Sequence, residues 1–288
     1  MFTAWIGPFL EFEFMRRAMV GTIAIAIGSG PVGVFLMLRR MSLTGDAMAH
    51  AILPGAAVGY LLAGLSLPAM TLGGLAAGIV VAVAAGLVSR FTALKEDASL
   101  AAFYLLSLAL GVTIVSLRGS NVDLLHVLFG TVLALDDATL LLLASIASVT
   151  LLTLAVLWRP LVLECVDPAF LRSVSRSGAV AHLVFLGLVV LNLVGGFHAL
   201  GTLLAVGMMM LPAAASRFWS NDITVMMLLS VVIGIASGLS GLLLSFHAEL
   251  PAGPAIILSA GAAYVLSLLL GREGGVLWLA WPGKHLEA

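Results

Sequence analysis

Charge is what this chain has least of. Only 9% of its 288 residues are Asp, Glu, Lys or Arg, where soluble domains carry about 25%. Thirteen basic and fourteen acidic side chains cannot cover the surface of a soluble protein this size. There is one cysteine, Cys165, which excludes a disulfide framework and a cysteine-rich zinc or iron–sulfur site. With a net charge of −1 and a pI near 6.6, no basic stripe is available to neutralise phosphates, so nucleic acid is excluded as a partner. The start, MFTAWIGPFLEFEFMRR, has acids where a signal peptide has bases. No small-residue cleavage site follows its first apolar run, so the segment is expected to be retained. A P-loop is missing: the one Gly-Lys pair, Gly283-Lys284, is followed by His285, and Trp278 stands five positions before Gly283. No HExxH occurs.

What is present is apolar length. Hydrophobic residues make up 62% of the chain and the mean hydropathy is +1.20, which predicts an all-α polytopic membrane protein. A spanning helix needs about 20 mostly apolar residues. Nine runs qualify as candidates, near 15–38, 44–64, 68–89, 98–117, 138–158, 179–198, 200–216, 223–246 and 254–271. The expectation is a bundle of about eight or nine transmembrane helices in a single domain covering 1–288. The stretch from Leu124 to Leu135 is too short to cross and is expected to re-enter or lie at the interface.

The Lys/Arg positions set an orientation. With Arg39 and Arg40 inside, Arg90, Lys95, Arg159 to Arg176, Arg217 and Arg272 fall inside too, and Arg118 falls outside beside Asp123. Arg16 and Arg17 are the exception, with Glu11 and Glu13 next to them. The N-terminus is thus expected outside and the C-terminus inside. Small-xxx-small spacings at Gly55/Gly59, Gly74/Gly78 and Gly234/Gly238 predict close helix packing in lipid.

An ionisable group at bilayer depth costs about 2.5–3.5 kcal/mol on insertion scales, so each one needs a reason. Asp46 and His50 in MSLTGDAMAHAILPG are spaced i and i+4, which puts them on one helix face about 6 Å apart along the axis. A carboxylate and a neutral imidazole suit a divalent transition metal such as zinc, manganese or iron. Two ligands do not close a site, so water, other helices or a second copy of the chain must supply the rest. The plainer alternative makes Asp46 a first-turn residue favoured by the helix dipole and His50 the donor of one interhelical hydrogen bond. Pro54-Gly55 just beyond predicts a kink.

Other residues give weaker signals. His198 and His247 stand near outer helix ends, His247 close to Glu249, and His126 and His182 have no nearby carboxylate in sequence. Met208, Met209 and Met210 are consecutive and point to different faces, which fits packing. Gly28-Ser29-Gly30-Pro31-Val32-Gly33 matches G-x-G-x-x-G inside an apolar run with no preceding strand, so a dinucleotide site is not expected. Gly238-Leu239-Ser240-Gly241 has the form of an intramembrane serine protease nucleophile, but His247 lies about 10.5 Å farther along a continuous helix. The longest polar stretch is RPLVLECVDPAFLRSVSRSG, 159–178. Within it Asp167-Pro168 reads as a helix start. Phe170, Leu171 and Val174 form an apolar face and Arg172 and Arg176 are exposed, a pattern able to dock into a partner's groove.

Four stretches together resemble a known family. FLMLRRMSLTGDAMAHAILPGAAVGY (35–60), DLLHVLFGTVLAL (123–135), GTLLAVGMMMLPAAASRFW (201–219) and LPAGPAIILSAGAAYVLSLLLG (250–271) are similar, in order and spacing, to the permease subunits of zinc/manganese-type metal-ion ABC importers. Ser216 departs from the alanine usual before Arg217. The resemblance implies a type II-like ABC importer permease that functions as a homodimer in a prokaryotic plasma membrane. It pairs with a cytoplasmic ATPase dimer, which hydrolyses ATP in a separate chain, and receives its ion from an extracytoplasmic metal-binding protein. The divalent ion, zinc or manganese, is cargo rather than a resident cofactor and moves inward by alternating access. The family's intramembrane metal-coordinating aspartate and histidine carry over to Asp46 and His50. Its coupling segment carries over to Asp167, Pro168, Phe170, Leu171, Arg172, Val174, Arg176 and Gly178, where FLRSVSRSG departs from the usual A-x-x-x-G pattern. Rival readings are an ABC permease for chelated iron or another bulky ligand, a secondary metal–proton transporter, an intramembrane serine protease and a structural membrane scaffold.

Overall fold

The computed structural model describes residues 2–64, 66–94, 96–117, 132–167, 170 and 177–277. All regular structure among them is helical. The elements are α1 (Phe2–Glu11), α2 (Glu13–Leu38), α3 (Ser42–Ala51), α4 (Leu53–Ala63), α5 (Leu67–Phe91) and α6 (Glu96–Leu117). A 3₁₀ turn at Val132–Ala134 follows, then α7 (Asp137–Val156), α8 (Trp158–Val166), α9 (Ser177–Leu200), α10 (Thr202–Ser216), α11 (Ile223–Ala248) and α12 (Ala252–Leu270). Residues 124–131 of the expected re-entrant stretch, with His126, Arg118 and Asp123, lie outside the described residues.

Seven segments are long and apolar enough to cross a membrane: Glu13–Leu38, Ser42–Ala63, Leu67–Val88, Asp137–Val156, Val180–Phe197, Ile223–Ala248 and Ala252–Leu270. Thr202–Ser216 is apolar but shorter, as is the apolar stretch Ala98–Ile114 within the 22-residue α6. Among the described residues seven candidate spans are thus found, beside α6, whose 22 residues at about 1.5 Å each also reach across a hydrocarbon core of about 30 Å. Gly201, at φ 82, starts α10 late. At about 1.5 Å per residue, the 15 residues of α10 fall short of a hydrocarbon core of about 30 Å.

Contacts between distant residues define the two ends of the bundle. At one end Arg39 meets Glu164, Met37 and Leu38 pack with Ile223, and the Glu273 N–H donates to the Phe218 carbonyl. At the other end Arg17 faces Asp137 and Phe12 meets Phe246. Arg40, Arg159, Arg217 and Arg272 therefore cluster with Arg39 at the first end, as the orientation argument requires. Arg17 at the opposite end is neutralised by Glu13 at 2.8 Å and Asp137 at 3.3 Å.

The helices α2 and α9 sit in the middle: 72% and 61% of their most apolar windows are buried, against 28–39% for the other five spans. Their core includes Val32, Phe35, Leu36, Phe185, Val189 and Val190, with Met48 and Ile52 of the second span packed against it. Glycine sets the closest approaches. A Cβ on Gly55 would collide with the Gly73 carbonyl, one on Gly73 with the Gly55 carbonyl, and one on Gly59 with the Ala69 carbonyl. α4 and α5 thus touch backbone to backbone, as the small-xxx-small spacing predicts. α7 is capped by Asp136, which accepts from the hydroxyl and the N–H of Thr139. These two bonds, the hydroxyl's first, hold the Asp136 carboxyl below its usual range.

Three substitutions test this packing and capping. Gly55→Ala overpacks the α4–α5 contact and should cost about 1–3 kcal/mol. Gly261→Ala, whose added Cβ meets nothing within 4 Å, should be neutral or slightly stabilising in thermal unfolding of the detergent-solubilised protein. Asp136→Ala should cost about 1 kcal/mol at neutral pH through the lost cap. Because the folded-state pKa is depressed, the cap acts above the ordinary carboxylate value and fades as pH falls through the lowered one. The difference between Asp136→Ala and wild type should therefore close in acid.

Candidate functional site

The site begins with a turn. α2 ends in a closure in which the Arg40 N–H donates to the Met37 carbonyl at 3.0 Å and the Met41 N–H to the Leu36 carbonyl at 2.9 Å. This is the Schellman pattern, and it requires a left-handed residue. That residue is Arg40, at φ 59, where glycine would be unstrained. α3 starts immediately after, at Ser42, so the turn fixes the direction in which α3 leaves α2.

On α3, Asp46 and His50 share a face, with His50 Nε2 3.9 Å from Asp46 Oδ1. The Asp46 side chain is 63% exposed and that of His50 28%. The imidazole stacks on Tyr104 of α6, with centroids 6.1 Å apart and planes 29° from parallel. Its Nδ1 is buried and has no hydrogen-bond partner among the described residues. Just beyond, the helix breaks at Ile52 as Pro54-Gly55 predicts. Pro54 has no N–H to offer the His50 carbonyl, and the Ile52 N–H bonds there instead. The Ala51 carbonyl is taken by the Ser107 hydroxyl of α6 at 3.0 Å. One chain thus presents one carboxylate and one imidazole. No group of three His, Cys, Asp or Glu side chains able to hold a metal occurs among the described residues.

A second polar centre lies at the end of the bundle that carries Arg39. Its guanidinium is 5% exposed and places Nη2 2.7 Å from Glu164 Oε2 on α8. His182 of α9 lies between the two, its Nδ1 3.5 Å from Glu164 Oε1 and 3.4 Å from Arg39 Nη1. The guanidinium sits 4.4 Å above the Phe185 ring, and Phe35 packs edge-on against both Trp158 and Phe185. Burial pushes the thiol of neighbouring Cys165 up, against the pull of Arg39. This corrects the sequence reading of His182 as a histidine without a carboxylate partner. Tyr104, Glu164 and the burial of Arg39 carry no local sequence signal.

Of the segment 167–178, Asp167, Phe170 and Gly178 are described. The Asp167 carboxylate accepts the Phe170 N–H at 2.9 Å, an N-cap bond. Phe170 is exposed and Gly178 buried. Pro168, Leu171, Arg172, Val174 and Arg176 lie outside the described residues. Ser240 spends its hydroxyl on the Ser237 carbonyl of its own helix, and Gly28–Gly33 lies inside α2, as expected. Met208 and Met209 are fully buried in the core. His247 is exposed, with Nδ1 2.9 Å from the Leu243 carbonyl. The His198 side chain is not among those described.

The model of the ABC 3 transport family matches residues 11–271. The chain belongs to the ABC 3 transport family. It is a multi-pass protein of a prokaryotic plasma membrane, and the expectation of a metal-ion ABC importer permease stands. Among its relatives, the manganese transport system membrane protein MntC of Halalkalibacterium halodurans is 30% identical over 286 residues, 99% of this chain and 97% of that one. The manganese import system permease protein ScaB of Streptococcus parasanguinis is 31% identical over 273 residues, 95% and 96% of the two chains. Among solved structures, PsaBC from Streptococcus pneumoniae in complex with Fab superposes with a TM-score of 0.85 at 28% identity, covering 98% of this chain and 100% of that one. A structure described as an inward-facing metal-chelate type ABC transporter gives a TM-score of 0.70 at 14% identity over 91% and 87% of the chains, a likeness of fold alone.

The turn that aims α3 is itself testable. Arg40→Gly should stabilise the detergent-solubilised protein by about 1 kcal/mol, because the left-handed conformation loses its Cβ penalty. Arg40→Val should destabilise it.

Proposed function

We propose that this chain is the membrane half of a manganese importer and that Asp46 and His50 hold the ion in transit. The observation that carries the reading is the position of the Asp46–His50 pair. His50 stands about 12 Å and Asp46 about 6 Å along the helix axis from the start of α3, on a segment long and apolar enough to cross a membrane. Yet the Asp46 carboxylate is mostly exposed on a single chain. A carboxylate facing lipid is costly, so a second protein surface or a water-filled path belongs there. A second copy of this chain meets the requirement and doubles the donors to two carboxylates and two imidazoles. Hard carboxylate oxygen with imidazole nitrogen accepts manganese and also zinc. The manganese transporters among the relatives favour manganese.

Membership of an ABC family supports the remaining parts of this reading. Two copies of this permease rest on two cytoplasmic ATPase subunits, and an extracytoplasmic binding protein delivers the ion. ATP-driven rocking opens the cavity alternately outward and inward. The segment Asp167–Gly178 contacts the ATPase. An incomplete donor set serves this cycle, because a closed coordination sphere would trap the ion. No covalent chemistry is assigned to this chain.

The test is ATP-dependent Mn²⁺ uptake into proteoliposomes holding the permease, its ATPase and its binding protein, with zinc as competitor. Asp46→Ala and His50→Ala should each assemble and hydrolyse ATP. Each should lower uptake by at least the roughly 10–100-fold that losing even an outer-shell partner costs a metal site. Uptake that survives both changes would sink the site and favour a chelated ion as cargo.

A further inference from the structure

Apart from the metal-site helix, the most heavily constrained polar contact is the ion pair of Arg39 and Glu164. The geometry points to Arg39 as a positioning residue for transport: through Glu164 it links the segment 167–178 to the helix that carries Asp46 and His50. The inference rests on the importer reading above and adds the route by which the two ends of that machinery communicate.

Three features support it. First, α8 leads directly into Asp167, and α8 is clamped to α2 at both of its ends. Trp158 at its start packs on Phe35, and Glu164 near its end binds Arg39. A displacement at Asp167 is therefore passed to the end of α2 by a single rigid turn of helix. Second, only Arg40 and Met41 separate Arg39 from α3, and both donate into the closing turn of α2. No soft segment lies between Arg39 and Asp46. Third, two apolar side chains would hold these helices together at less desolvation cost than a buried charge pair, so cohesion alone does not call for this one. Glu164 binds Arg39 through Oε2 and faces His182 through Oε1. The one carboxylate thus ties α8 to α2 and to α9 at once, so a movement of α8 is passed to both helices.

The experiment uses the complete complex in proteoliposomes and measures Mn²⁺ uptake and ATP hydrolysis together. The variants are the apolar double replacement Arg39→Met/Glu164→Leu, which keeps the helices packed, Glu164→Gln, and the conservative Glu164→Asp. The double variant should retain its ATPase subunits and its basal hydrolysis, while Mn²⁺ moved per ATP falls about tenfold, within the range of measured site-to-site couplings. Glu164→Asp should recover most of the ratio and Glu164→Gln should fall between. A wild-type ratio in the double variant overturns the proposal, and so does loss of the ATPase subunits together with transport. If the double variant does not fold, a wild-type ratio in Glu164→Gln overturns it equally. Should the wild-type complex move no Mn²⁺, the manganese reading fails by itself. The stimulation of ATP hydrolysis by the Mn²⁺-loaded binding protein then tests the link: preserved stimulation in the variants overturns it, and lost stimulation supports it.

Discussion

The constraint on which the rest of this structure depends is the cost of charge in a medium that cannot solvate it. With so few charged residues in the chain, the pairings of those that lie near the spans stand out. Arg17 is matched by Glu13 and Asp137 at one end of the bundle. Arg39 is matched by Glu164, with His182 beside them, at the other. Asp46 is the departure: its carboxylate lies on a membrane-spanning segment, largely uncovered by its own chain, with the His50 imidazole 3.9 Å away. A group left in that condition marks a place where something else arrives, whether a second subunit, water or an ion.

The same absence of water dictates the backbone. Every carbonyl freed by a break must find another donor, and the break between α3 and α4 shows how this is met. The Ile52 N–H turns back to His50, and the Ser107 hydroxyl reaches over from α6 to Ala51. The break follows His50 directly, while Ile52 keeps a helical backbone (φ −74, ψ −24), so the helix that carries Asp46 and His50 takes its direction from the Arg40 turn and is held by α6 at its far end. Close glycine contacts between α4 and α5 then hold the upper half of the span. Local strain at Arg40 and dense packing beyond it serve one purpose, to place one helix face accurately.

Seen this way, the two polar centres belong to one path. The segment 167–178 lies at the end of α8, α8 is clamped to the end of α2, and that end turns directly into α3. In the importer proposed for this member of the ABC 3 transport family, energy released in one subunit reaches an ion held in another, and such a path serves that purpose. The buried Arg39–Glu164 pair sits at the narrowest point of that route.

Much of this was legible in the residues before any coordinates. Apolar length predicts helices, and the arginine positions predict which ends lie together. Spacing of i and i+4 puts Asp46 and His50 on one face, since a helix converts local sequence distance directly into geometry. Pro54 marks the break for the same reason. The number of full spans was less legible: 200–216 is apolar throughout, but Gly201 and Arg217 bound a helix shorter than the membrane is thick. Only the tertiary structure could bring Glu164 and His182 to Arg39, across separations of 125 and 143 residues, or lay Tyr104 against His50. Nothing in a local pattern encodes those meetings, because they are set by how helices cross. The chain determined its medium, its helices and the face shared by Asp46 and His50 through short-range chemistry. The packing of α2, α8 and α9 decided how that face is connected to the rest of the molecule.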